Sequence, residues 1–324
     1  MRDSMRFAFI MDPIQNVLID KDTTFVFMLE SQSRGHEVHY LEMSDLFVDH
    51  ARAMGRARRI ELRREYRNHF TFHEELTSPL GDFDAVFMRK DPPFDVAYLH
   101  ATQLLDLAQR DGAFVMNRPA GLRAANEKLF ALNFPTVIPS TLVSQDSNRI
   151  KDFLHELGGE MIIKPIDGHG GAGIFYVHRE DRNLNSLLET ATREGKEAII
   201  AQRYLPEVRQ GDKRLIVLNG APLGCTLRVP RSDEHRGNIH VGGTCIKAEV
   251  TIRDREICRE VGPRLREEGL YFVGLDIIGD YLTEVNVTSP TGVQEINALD
   301  NVRLEANVID LVEQKVEELQ RQRR

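Results

Sequence analysis

The stretch MIIKPIDGHGGAGIFYV, residues 161–177, decides the reading of the fold. Gly168, Gly170 and Gly173 satisfy G-x-G-x-x-G, the spacing of a dinucleotide-binding turn. That turn must run from a strand into a helix, because the pyrophosphate sits on the helix N-terminus. Here Gly173 runs into IFYV, a β-branched and aromatic run that reads as a second strand. The dinucleotide reading fails on context, and no G-K-[ST] follows to make a Walker loop. What remains is a β-hairpin with a glycine tip. Such a tip can be a ligand-free turn, or its bare N–H groups can close over phosphate oxygens.

Two lysines favour the second reading. Lys164 lies on the strand entering the tip, and Lys128 lies in NEKLF, read as part of a helix carrying Leu122, Leu129 and Leu132. A third element stands far downstream, GLDIIGDYLTEVNVTSP. Its two strands meet at Gly279-Asp280, and Glu284 and Asn286, two apart, share one strand face. Asp276 falls opposite one or the other. Two carboxylates and an amide oxygen are hard ligands suited to magnesium shared with nucleotide phosphates. In an apolar hairpin they need a partner or a cation to offset desolvation.

Around these stretches the chain alternates strands and helices. Over residues 1–120 FAFIM, EVHYLEM, DAVFMR and AFVMN read as strands of an open, mostly parallel α/β sheet. Helices are expected at 23–34, with Asp22 as N-cap and Gly35 after the end, and at 95–110, 149–157, 253–268 and 303–320. KRLIVLNGAPLG reads as a hairpin turning at Asn219-Gly220. Residues 229–244 form a long polar segment of the kind that closes over sites.

At 324 residues the chain exceeds what one core usually fills, so two or three domains are expected. Its net charge of −8 opposes nonspecific nucleic-acid binding. Segment 52–67 carries seven arginines against two glutamates without interleaved aromatics, and reads as a solvated face. His69 and His73 are four apart but have no third ligand nearby. No apolar run is long enough for a membrane span, and nothing at the start reads as a secretory signal. Three cysteines without a C-x-x-C pair suit a reducing, cytoplasmic setting, and each reads as a small buried hydrophobe.

The chain resembles the prokaryotic-type glutathione synthetases of the ATP-grasp ligases. The likeness rests on FIMDPIQNV, FMRKDPPFD, NEKLFAL, IIKPIDGHGGAGIF, AQRYLPEVRQGDKRLIVLNG, EHRGN and FVGLDIIGDYLTEVNVTSPTGVQEI. The resemblance implies an N-terminal α/β domain (1–124), a central ATP-grasp lid (125–203) and a C-terminal unit with the metal site (204–324). Lys128, Lys164, Gly170 and Gly171 would then meet the ATP phosphates, and Gln202, Tyr204 and Leu205 the adenine. Asp276, Glu284 and Asn286 would hold Mg2+, or Mn2+. Arg89, Arg228 and Ser289 would bind substrate, and Arg214 and Arg236 would act on the acyl phosphate. The implied reaction joins γ-glutamylcysteine to glycine, in a homotetramer. Another ATP-grasp carboxylate–amine ligase and an ATP-binding regulatory protein are the alternatives. The chain departs from the family pattern at TCIKAEV after Gly242-Gly243, and at Gly292, where some relatives carry cysteine.

Overall fold

The computed structural model describes residues 4–168, 170–230 and 244–323. Its first unit is a seven-stranded sheet made of β1 (Arg6–Ile10), β2 (Glu37–Leu41), β3 (Leu46–Asp49), β4 (Arg52–Leu62), β5 (Phe70–Pro79), β6 (Ala85–Met88) and β7 (Phe114–Met116). The pairs β1–β2, β1–β6 and β6–β7 are parallel. Helices α1 (Thr23–Ser33) and α2 (Val96–Asp111) supply the crossovers, which is why RFAFI and AVFM are apolar almost throughout. The Asp22 carboxylate accepts the Phe25 N–H at 2.7 Å and starts α1, and Gly35 follows its end with φ +85°.

The parallel half is as expected, but it is extended by an antiparallel portion the sequence reading did not contain. β4 pairs antiparallel with β2, β3 and β5. The first eleven residues of the arginine-rich segment are this strand. Ala53, Ala57, Ile60 and Leu62 face inward, while Arg52, Arg56 and Arg59 face solvent opposite Asp82, Asp45 and Glu74. Acidic neighbours thus compensate the run, and it is a solvated face. His69 and His73 are no ligand pair. The first meets the Ile14 carbonyl at 2.8 Å, and the second lies 3.4 Å from Glu61.

The helix expected through Leu122, Leu129 and Leu132 is broken. α3 (Pro119–Ala124) stops, and a separate 3-10 turn covers Phe130–Asn133. Between them the Asn126 side chain accepts from the Lys128 and Leu129 N–H groups, a local turn that competes with helix. Lys128 therefore stands on a turn, not on a helix.

The central unit is a four-stranded antiparallel sheet of β8 (Thr141–Ser144), β9 (Glu160–Pro165), β10 (Phe175–His178) and β11 (Ile199–Arg203), in the order β10-β9-β11-β8. Helices α4 (Ser147–Glu156) and α5 (Leu184–Ala191) bury Met161, Ile163, Val177 and Ala201 on one face. β9 and β10 are the predicted hairpin around the glycines.

The last unit is an antiparallel sheet of β12 (Asp212–Leu218), β13 (Ala221–Val229), β14 (Thr244–Lys247), β15 (Phe272–Ile278) and β16 (Tyr281–Asn286), in the order β14-β13-β12-β15-β16. Asn219-Gly220, both at positive φ, joins β12 to β13, and Gly279-Asp280 joins β15 to β16, as the sequence indicates. α6 (Ile252–Glu268) packs on its apolar face, and α7 (Val293–Asp300) follows β16. α8 (Leu304–Arg323) returns to the first unit, burying Val308, Val312 and Val316 in the cluster that holds Phe7 and Phe25.

Candidate active site

The polar side chains come from strand alternation. Along β12, Leu215 and Val217 point into the core shared with α6, so Asp212 and Arg214 point to the other face. Register aligns their neighbours. Arg228 lies opposite Asp212, Asp276 opposite Arg214, and Glu284 opposite Asp276; Asn286 lies opposite Gly274. Two arginines thus converge on one buried carboxylate. Arg214 reaches Asp276 through Nε at 2.6 Å and Nη2 at 3.1 Å, and Arg228 Nη2 reaches it at 3.0 Å. Arg228 also bonds Asp212. Register gives Arg214 to Asp276 and Asp212 to Arg228.

Close approach needs small neighbours. A Cβ on Gly274 would meet the Arg214 side chain at 3.1 Å, and one on Gly292 would meet it at 3.4 Å. Arg214 also donates to the Thr291 carbonyl at 3.2 Å, yet keeps N–H donors to spare.

The electrostatics follow from burial and pairing. Burial alone would raise the Asp276 carboxyl, but Arg214 and Arg228 hold it down at about 2. Burial pushes the Asp212 carboxyl up to about 7 against the pull of Arg228. Among the described residues, Asp212 Oδ1 and Arg228 Nε are buried without a hydrogen-bond partner.

The central sheet supplies the lysines. On β9 and β11, Lys164 pairs with Ile200 and Ile162 with Gln202, which puts all four on the face away from α4 and α5. Lys164 is buried, its Nζ 3.8 Å from Glu284, and burial lowers its pKa against the pull of that carboxylate. Lys128 is also buried. Its Nζ donates to the Gly168 carbonyl and, at 3.4 Å, to that of Ile166. At the hairpin tip Gly170 and Gly171 have φ of +62° and +80°, and a Cβ on Gly170 would meet nothing within 4 Å among the described residues. Gln202 donates to Thr141 Oγ1 at 2.8 Å, Tyr204 packs edge-on to Tyr176, and Leu205 is buried. A pocket lined by Phe94, Glu127, Lys128, Ile166, Gly168 and Thr288 opens beside these groups.

The structure thus gathers Lys164, Asp212, Arg214, Arg228, Asp276 and Glu284. Asn286 sits on the same face, with its Nδ2 on the Gly274 carbonyl at 3.2 Å. Arg89 stands apart. It is buried against the rings of Phe27 and Phe272, which pack edge-on to each other, and it donates to Thr24 Oγ1 and to the carbonyl of Pro290, next to Ser289. Arg236 and most of segment 229–244 lie outside the described residues. Sequence reading missed Asp212 as a site group, although its spacing of two from Arg214 is the signal for a shared face. It also missed Glu127.

Among the described residues no group of three or more His, Cys, Asp or Glu side chains could hold a metal. The candidate set here is two carboxylates and an amide. It fits a hard divalent ion by donor chemistry, and the orphaned Asp212 Oδ1 and Arg228 Nε fit a further polar ligand beside it.

Comparison with known proteins gives the family. Residues 5–123 match the family model for the prokaryotic glutathione synthetase N-terminal domain, and residues 127–301 match the one for its ATP-grasp domain. The glutathione synthetase of Gloeobacter violaceus is 48% identical over 311 residues, covering 94% of this chain and 96% of that protein. That of Escherichia coli K12 is 42% identical, covering 97% and 99%. Among solved structures, D-cycloserine synthetase DcsG superposes with a TM-score of 0.65 at 15% identity, covering 97% of this chain and 99% of that one. The ATP-grasp ligase PsnB with its minimal precursor gives 0.63 at 17%, covering 96% and 99%. These two share the fold. With both family models spanning nearly its whole length, the chain belongs to the prokaryotic glutathione synthetase family.

Proposed function

We propose that the polar face of the last sheet, closed by the glycine hairpin, joins γ-glutamylcysteine to glycine at the expense of ATP. The observation that carries it is the meeting of Lys164 with Glu284, opposite an Asp276 clasped by two arginines. The cysteinyl carboxylate attacks the γ-phosphorus, giving an acyl phosphate and ADP. The glycine amine attacks the acyl carbon, phosphate leaves, and the amine proton is lost. Such transfers depend on positioning and charge neutralisation.

In this reading Lys128, Lys164, Gly170 and Gly171 hold the phosphates, and Gln202, Tyr204 and Leu205 the adenine. Asp276, Glu284 and Asn286 hold a divalent ion, Mg2+ in the first instance and Mn2+ as the alternative. Such an ion neutralises phosphate charge when bound. Arg214 donates to the acyl phosphate and to the oxyanion that follows, a role whose loss typically costs about 10²–10³ in rate. Arg236 joins it. Arg228, Arg89 and Ser289 form the peptide side. The work divides among units at 1–124, 125–203 and 204–324, with α8 tying the last to the first.

A homotetramer is proposed from the family resemblance, and light scattering at four times 37.0 kDa tests it. A cytoplasmic location is proposed from three free cysteines; no helix among the described residues is long and apolar enough to cross a membrane. The deciding experiment measures phosphate release with ATP and magnesium, adding γ-glutamylcysteine and glycine separately and then together, and weighs the product. A peptide of glutathione's mass, formed only with both substrates, is the expected result. Phosphate without that peptide transfers the substrate assignment to another acid or amine.

A further inference from the structure

Residues 126–128 join the central and last units. Asn126 Nδ2 donates to Asp167 Oδ1 at 3.1 Å, and Lys128 Nζ donates to the Gly168 carbonyl, so both reach the glycine hairpin. Glu127 reaches the other way. Its carbonyl accepts the Val285 N–H at 2.8 Å, and its carboxylate accepts Thr288 Oγ1–H at 2.9 Å. Val285 lies between Glu284 and Asn286. Glu127 therefore grips the end of the strand bearing two proposed metal ligands, once by backbone and once by side chain. A half-buried carboxylate near Glu284 is costly unless it is bonded, and Thr288 supplies that bond.

We infer that Glu127 is a positioning residue: through Thr288 it holds the Lys128 turn against β16, so that the Lys128 ammonium meets the nucleotide phosphates at a set separation from the Glu284 carboxylate. This rests on the reading that Lys128 contacts those phosphates. The backbone bond to Val285 survives substitution, so the contribution of the side chain can be tested alone.

The test is steady-state kinetics of Glu127→Ala, Thr288→Val, the double variant, Glu127→Gln and Lys128→Ala, with melting temperatures alongside. Loss of one such hydrogen bond predicts that Glu127→Ala and Thr288→Val each raise KM for ATP by about 3- to 10-fold. KM for γ-glutamylcysteine stays within about twofold, because the clamp acts on the phosphate side. The double variant is no worse than the worse single one, since both remove one bond. Glu127→Gln, which keeps an acceptor oxygen, recovers most of what Glu127→Ala loses. A purely structural role would lower the active fraction and leave KM for ATP unchanged. If Lys128→Ala raises KM for ATP but Glu127→Ala does not, or if the two clamp variants add fully, the clamp is overturned. If Lys128→Ala itself leaves that KM unchanged, the phosphate assignment falls, and the inference with it.

Discussion

Asp276 and Glu284 face each other across one hairpin and should respond differently to losing their charge. Asp276 is buried with hydrogen bonds from two guanidinium groups that are themselves buried. Asp276→Asn leaves the Arg214 guanidinium without its carboxylate and Arg228 with Asp212 alone, and removing one member of a buried ion pair costs on the order of 3–5 kcal/mol. A large fall in melting temperature, with loss of activity, is expected in calorimetry. Glu284 has 21% of its side chain exposed, and among the described residues its ion-pair partner is Lys164, at 3.8 Å. Glu284→Gln is nearly isosteric there, so melting should shift by less than about 1 kcal/mol, as for sites outside a tight network. Turnover should instead fall by at least about 100-fold, on the scale of losing a transition-state electrostatic contact. A variant that turns over normally with an ordinary divalent-metal requirement removes Glu284 from the metal set.

Hairpins carry the site, and their turns carry the hairpins. Gly220 sits at φ +77°, and a Cβ there would lie 2.7 Å from the Gly262 carbonyl of α6. Gly220→Ala therefore adds backbone strain to a clash, and should destabilise by about 1–3 kcal/mol in urea unfolding. KM for ATP should not change, because the turn lies at the end of the sheet away from Asp212 and Arg228. The same locality explains what the sequence revealed. Asn219-Gly220, Gly279-Asp280 and the strand after Gly173 are short-range signals, and all were readable. So was the shared face of Glu284 and Asn286, set by a spacing of two. β4 was not legible as a strand, because its inward face is largely Ala and Gly and lacks the bulk that marks a strand. The break at 125–129 was hidden by leucines at helix-compatible spacing, and the Asn126 side chain decided it. Which carboxylate Arg214 would meet depended on β15 joining β12 across more than fifty intervening residues, and no local pattern encodes that register.

At the scale of the whole chain, the proposed phosphate site belongs to no single sheet. Lys164 comes from β9, Lys128 from the turn after α3, and Glu284 and Asn286 from β16. A nucleotide with its metal would bridge the central and last units, whose polar contacts include Glu127–Thr288 and Lys164–Glu284. A ligand that binds only the folded chain stabilises it by about 2.7 kcal/mol at one hundred times its Kd. For a protein of this size that is a rise of several degrees in melting temperature, at about 2–4 °C per kcal/mol. The metal should account for much of the rise. Without a cation, the triphosphate would approach the Glu284 carboxylate with like charge, while the charge of Asp276 is already balanced by Arg214 and Arg228. ATP with magnesium should therefore raise the melting temperature clearly more than ATP with a chelator, and in Glu284→Gln that difference should shrink. Equal shifts with and without magnesium, in the parent chain and the variant alike, would mean that the nucleotide is held away from the carboxylates, and the metal assignment would have to be abandoned.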